Sequence, residues 1–104
     1  MTRIARLQAL SQMILDARIA DVTKAARARE DSLAHLRALQ VPAVQGDDPV
    51  LSAQVALRYQ TWADGQRAAI NTTLAGQTAD WLEAQDRARA AFGRAQVLRK
   101  LAGG

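Results

Sequence analysis

The feature that most constrains this fold is the position of its two prolines. Pro42 and Pro49 lie within residues 40–51, QVPAVQGDDPVL, and the other residues of this 104-residue chain include no proline. Because proline inside a helix costs about 3 kcal/mol, this segment is the natural break between two helical stretches. Asp48 before Pro49 is typical of an N-cap followed by proline at the first helical position. We predict a helix over about 2–40, a loop over 41–48 and a second helix over about 49–101.

The composition indicates helices rather than a globular core. Hydrophobic residues make up 49% of the chain, but only four residues are aromatic, and much of the remainder is alanine. Alanine, leucine, glutamine and arginine are all good helix formers. A short connection between two helices makes them antiparallel neighbours. The sequence therefore predicts one all-α domain over residues 1–104, a long antiparallel two-helix hairpin or coiled coil.

Apolar residues recur every eleven positions along one stripe of each predicted helix. The members are Ile4, Leu15 and Ala26 in the first helix and Tyr59, Ile70, Trp81 and Phe92 in the second. Eleven residues over three turns correspond to about 3.67 residues per turn, which predicts a nearly straight or weakly right-handed pair.

The predicted helices differ in length, and a tight turn would set their register. If residue 40 pairs near residue 50, Leu15 meets Leu74 and Ile4 reaches Asp86. The first helix then ends, and residues 87–104 have no partner within the chain. We therefore predict an overhanging C-terminal helix end.

This predicted overhang carries both cations and an apolar face. Favourable interaction with the helix dipole, about 0.3–1 kcal/mol for each cation, accounts for the charges but not for Phe92 and Leu98. An exposed stripe of this kind favours a binding partner. The predicted partner-binding residues are Arg87, Arg89, Phe92, Arg94, Leu98, Arg99, Lys100 and Leu101. Leu10, Met13, Ile14 and Ile19 widen the apolar face of the first helix, so both chain ends are expected to meet at one apolar and basic pole.

The sequence lacks the residue patterns that are typical of a catalytic or cofactor site. His35 is the only histidine and there is no cysteine, so no zinc-ligand set can be assembled. The glycines form no phosphate-binding loop. We predict no enzymatic activity, no cofactor and no metal ion. No apolar run approaches the roughly 18 residues that span a membrane, and the N-terminus has a poor signal-peptide pattern, which is compatible with a cytoplasmic protein.

The C-terminal residues 80–101, DWLEAQDRARAAFGRAQVLRKL, resemble the last helix of the FliJ/YscO family of type III export proteins. That helix commonly carries an Ala/Arg-rich run with an aromatic residue, here Phe92, and ends in a pattern like Leu98, Lys100 and Leu101. The resemblance implies a cytoplasmic component of a flagellar or injectisome export system, peripheral at the inner face of the membrane-bound export apparatus. It implies the export ATPase ring and the export gate as partners, with the paired termini entering the ring as a stalk. The five cations would then meet acidic groups of the pore, and Phe92 and Leu98 apolar ones.

Three other functional interpretations of the sequence are kept as alternatives. A generic coiled-coil adaptor or homo-oligomer needs only the predicted hairpin. A secreted hairpin of the WXG type is similar in size, although the segment Trp62–Gly65 has one residue too many for Trp-x-Gly and lies well after the turn. A basic nucleic-acid-binding hairpin is compatible with the net charge of +4, but the two signs alternate over most of the chain, which favours a solvated surface.

Overall fold

The computed structural model describes residues 2–40 and 46–103, which form two α-helices. Helix α1 spans Arg3–Ala38 and helix α2 spans Pro49–Gly103. The predicted all-α helical hairpin is confirmed, and the described residues contain no β-strand. The helix ends differ from the predicted ones by no more than two residues. Of the predicted loop, residues 41–45 lie outside the described residues.

Both helices begin at side chains that cap their free N–H groups. The Thr2 hydroxyl accepts a hydrogen bond from the Ala5 backbone N–H at 3.1 Å. The Asp48 carboxylate accepts from the backbone N–H groups of Val50 and Leu51 at 3.0 and 3.3 Å. Such a cap stabilises a helix by about 1 kcal/mol. The predicted capping role of Asp48 is therefore confirmed.

The chain divides into two compact units. We call Met1–Arg29 with Gln77–Gly104 the terminal unit, and Glu30–Gly76 the inner unit. The terminal unit combines the beginning of α1 with the end of α2. The inner unit combines the end of α1 with the beginning of α2.

Three contacts define the register of the terminal unit. The buried side chain of Leu15 clusters with Ala91 and Ala95. The Arg29 guanidinium donates a hydrogen bond to the Thr78 hydroxyl at 3.1 Å and lies 5.2 Å from the centre of the Trp81 ring. Paired residue numbers thus add up to between 106 and 110 rather than 90. The two helical segments are antiparallel, and the start of α1 packs against the end of α2.

The predicted C-terminal overhang is therefore wrong. Leu15 meets Ala91 and Ala95 instead of Leu74, so residues 87–103 pack against α1. The prediction failed because it paired residue 40 with residue 50, whereas Leu39 lies beside Arg67. In the inner unit, Arg67 donates a hydrogen bond to the Leu39 carbonyl at 3.1 Å, so α1 ends beside a point about five turns into α2. The turns of α2 that lie beyond α1 are its first ones.

The covered positions of the terminal unit recur every seven residues. Most covered residues follow alternating steps of three and four along each helix. Those at these steps are Gln8, Ser11, Leu15, Arg18, Val22, Ala25 and Arg29 in α1, and Gln77, Trp81, Ala84, Ala88, Ala91, Ala95 and Leu98 in α2, and the half-buried residues beside them are Ala5, Ala26, Ala28, Thr78 and Gln85. This is the spacing of left-handed coiled coils, so the predicted eleven-residue repeat is wrong for this unit. Two of its members, Ile4 and Phe92, are instead 41% and 49% exposed.

The seam between the helices is built from small and polar residues more than from large apolar ones. Only five hydrophobic residues in the described part of the chain are buried, and three of these are alanines. Within the same described residues, fifteen large hydrophobic side chains are at least 40% exposed. Each of these side chains leaves a large part of its apolar surface in water, and a partner that covers it would add to the stability of the protein.

Candidate partner-binding site at the paired termini

The beginning of α1 and the end of α2 lie side by side in the terminal unit. One shallow hollow is lined by Gln8, Ser11 and Gln12 of α1 and by Ala95 and Arg99 of α2. We call residues 2–15 together with 87–103 the terminal pole. The prediction that both chain ends meet at one pole is confirmed, although the pole consists of two paired helices and not of a single one.

The terminal pole carries positive charge only. Its cations are Arg3, Arg6, Arg87, Arg89, Arg94, Arg99 and Lys100, and neither of its two segments contains Asp or Glu. The remaining residues carry seven basic and ten acidic side chains. The net charge of +4 therefore combines a basic terminal pole with a remainder in which acidic residues outnumber basic ones. Like charges gathered in this way attract anionic partners over about 8 Å at physiological salt.

Two of these cations are paired with acids just outside the pole. Arg87 forms an ion pair with Glu83, one turn earlier on α2, and Arg89 pairs with Asp86 at 3.1 Å. Such exposed pairs contribute at most about 1 kcal/mol, but they partly neutralise the charge of both arginines. The other five, Arg3, Arg6, Arg94, Arg99 and Lys100, form no ion pair with any residue that the structure describes. These five are the cations most available to a partner.

The three apolar residues of the predicted site have different positions. Leu98 is half-buried and continues the covered seam beyond Ala91 and Ala95, so it packs within the chain. Phe92 and Leu101 are 49% and 62% exposed. Phe92 follows a seam position and Leu101 precedes one, which places them on opposite sides of the seam because consecutive helical residues are about 100° apart. A single partner surface on one side cannot cover both.

Some residues of the pole are absent from the predicted site. Arg3 and Arg6 add two cations from α1, and Val97 is 57% exposed on α2. Ile4, expected within the apolar stripe, is 41% exposed, and Leu7 is 44% exposed. The signal that could have revealed the two arginines is the absence of acidic residues from residues 2–15, which the overhang hypothesis left unused.

Two other kinds of feature, a metal site and a membrane-spanning helix, are absent from the described residues. None of their His, Asp and Glu side chains form a group of three that could hold a metal ion. Within these same ranges, neither helix has a stretch long and apolar enough to cross a membrane. No family model, curated protein or solved structure matches this chain. The arrangement of charge and apolar surface at the terminal pole is therefore the feature from which a function has to be inferred.

Proposed function

We propose that this chain is a non-enzymatic helical adaptor that binds a partner protein through its terminal pole. Five cations that form no ion pair with a described residue, next to half-exposed apolar side chains, are the observation that carries this proposal. Following the resemblance of residues 80–101, we propose the ATPase ring of a flagellar or type III export apparatus as the partner, with the export gate as a second one. The protein then acts in the cytoplasm, at the inner face of the membrane-bound export apparatus.

The pairing of the termini changes how such a partner is engaged. A site on the partner has to accommodate two packed helices, because residues 87–103 are covered on one side by α1. Arg94, Arg99 and Lys100 are all exposed, and Arg99 also lines the hollow beside Ser11 and Gln12. Acidic groups of the partner can therefore reach all three without separating the helices.

Charge and apolar surface have separate roles in this proposal. Unpaired cations accelerate encounter with an acidic surface and make association sensitive to salt. Exposed Phe92 supplies apolar area that is removed from water once the complex has formed. We expect the association rate to fall with added salt and the dissociation rate to depend mainly on Phe92.

The test compares two double variants with the same change in net charge. Arg94→Glu with Lys100→Glu reverses two exposed cations of the pole, and Arg27→Glu with Arg58→Glu reverses two exposed cations outside it. Binding to the export ATPase of the source organism is measured by surface-based kinetics, together with the rate of ATP hydrolysis. We expect the pole variant to bind about tenfold or more weakly, since close charge pairs at interfaces couple by more than about 1.4 kcal/mol.

The control variant should bind within about threefold of the unchanged protein, because Arg27 and Arg58 lie outside the pole and form no close charge pair with the partner. Equal loss in both variants would show that only net charge matters and would contradict docking at the pole. If the unchanged protein does not bind the ATPase at all, the export assignment is wrong. A chain truncated after residue 86 is not a suitable test variant, because it would lack Ala91 and Ala95, which pack against Leu15.

A further inference from the structure

Large apolar side chains gather on one side of the terminal pole. We call this set the terminal apolar face. It comprises Leu7 (44% exposed), Leu10 (52%), Met13 (68%) and Ile14 (40%) of α1 with Val97 (57%) and Leu101 (62%) of α2. The proposed protein-binding site does not use the four residues of α1, so this face has no role in it.

Helix geometry places these residues together. Leu7 and Ile14 each directly precede a seam position of α1, and Leu101 lies one residue before Ala102, which continues the seam spacing of α2. In an antiparallel pair of helices, positions that precede seam positions lie on the same side of the seam. The exposed surfaces of α1 and α2 therefore join into one face at this end of the terminal unit.

The terminal apolar face is wider than the groove between the two helices. Met13 lies about 100° further round α1 than Ile14, away from α2, and it is the most exposed of the set. A partner helix lying in the groove would cover Leu7, Ile14 and Leu101 but would leave Met13 in water. A broad surface can cover the whole arc at once.

The charges around the face restrict what that surface can be. Arg3, Arg6, Arg94 and Lys100 are exposed, none forms an ion pair with a described residue, and no acid occurs in the pole. A second copy docked face to face would bring these like charges together. A broad apolar surface rimmed by anionic groups satisfies both the width of the face and its charge.

We infer that the terminal apolar face binds the surface of an anionic lipid membrane. The apolar side chains enter the boundary between headgroups and acyl chains, and the four cations contact the lipid phosphates. This is the chemistry by which basic amphipathic helices lie in a membrane interface without crossing it. Arg94 and Lys100 belong to both proposals, but the inference does not depend on the proposed protein partner, because its apolar residues and its ligand are different.

The experiment is co-sedimentation with vesicles. The full chain is mixed with vesicles of phosphatidylcholine alone, or of phosphatidylcholine and phosphatidylglycerol in equal parts, at low and physiological salt. Leu10→Ser with Met13→Ser is compared with Ile19→Ser with Leu82→Ser, a control pair of similarly exposed apolar residues outside the pole. We expect binding to the anionic vesicles only, about tenfold weaker in the first variant and within about twofold of the unchanged protein in the control.

A second readout reports whether the face itself touches lipid. In Leu10→Trp the new indole lies on the face, whereas the native Trp62 and Trp81 lie outside the pole. Its fluorescence should shift to the blue on addition of anionic vesicles, beyond any shift of the unchanged protein.

Three results would overturn the inference. One is absence of binding to anionic vesicles at low salt. Another is binding that the Leu10 and Met13 substitutions leave unchanged, because the pole would then bind vesicles through its positive charge alone. The third is a dimer in sedimentation that the same substitutions dissociate, because it would assign the face to a second copy of the chain.

Discussion

The terminal and inner units are built from the same two helices, yet they differ in charge and in the lengths of the two helical segments. The terminal unit has eleven basic and five acidic residues, and the inner unit has three and five. In the terminal unit, α1 and α2 contribute segments of similar length. In the inner unit, Glu30–Ala38 of α1 accompanies a much longer segment of α2, Pro49–Gly76. Paired helices thus coincide with the cationic surface, and the inner unit has the turns of α2 that extend beyond α1.

The two units also use arginine differently where the helices meet. Arg29 in the terminal unit contacts side chains, since it bonds to Thr78 and lies over Trp81. Arg67 in the inner unit contacts backbone, since it bonds to the Leu39 carbonyl just after the end of α1, and it also pairs with Asp64 at 2.8 Å. Arg29 therefore helps to select the register between the helices, and Arg67 anchors the point where α1 ends.

The largest expected effect is a test of register in the terminal unit. Ser11 and Ala95 are buried and line the same hollow. The chain has no cysteine, so the double variant Ser11→Cys with Ala95→Cys should form one intramolecular disulfide on mild oxidation. The pair Leu15→Cys with Leu74→Cys, matched to the register of a tight turn, should remain reduced. Peptide mapping of the oxidised variants measures both, and the reverse result would restore the C-terminal overhang.

The second-largest expected effect is a loss of stability when the small core of the terminal unit is altered. Leu15→Ala should lower the free energy of unfolding by about 2–4 kcal/mol, because a buried leucine then leaves a cavity beside Ala91 and Ala95. Leu10→Ala removes the same atoms from an exposed site and should cost less than about 1 kcal/mol. Urea unfolding followed by circular dichroism compares them. Equal costs would mean that Leu15 is not the centre of packing in this unit.

The smallest effect tests the anchor of the inner unit. Arg67→Ala should lower the free energy of unfolding by about 1–2 kcal/mol, since it leaves the Leu39 carbonyl without its charged donor. The matched change Arg58→Ala, at an exposed position nine residues earlier on the same helix, should alter it by less than about 0.5 kcal/mol. Hydrogen exchange at the amides of residues 36–40 should also accelerate in Arg67→Ala alone. Unchanged exchange there would show that α1 ends independently of Arg67.

Part of the candidate site could be predicted from the sequence. The meeting of the chain ends follows from an antiparallel hairpin, and the exposed cations Arg94 and Lys100 follow from helical spacing. The separation of Phe92 from Leu101, and the burial of Leu98, could not be predicted because they depend on which residues α1 covers. An eleven-residue and a seven-residue spacing share many positions over a few turns. Leu15 and Trp81 belong to both, so the pattern alone favoured the wrong repeat.

The sequence by itself determined the two helices and where they begin and end. These features depend on neighbours a few residues apart, such as the hydrogen bonds of Asp48 and the proline that follows it. Only the tertiary structure decided the register, and with it which surface is covered and which is free. Stripes rich in alanine bury little area per residue, so several alignments have similar hydrophobic free energies. The choice among them comes from a few contacts between distant residues: Leu15 against two alanines, Arg29 over Trp81, and Arg67 at the end of α1.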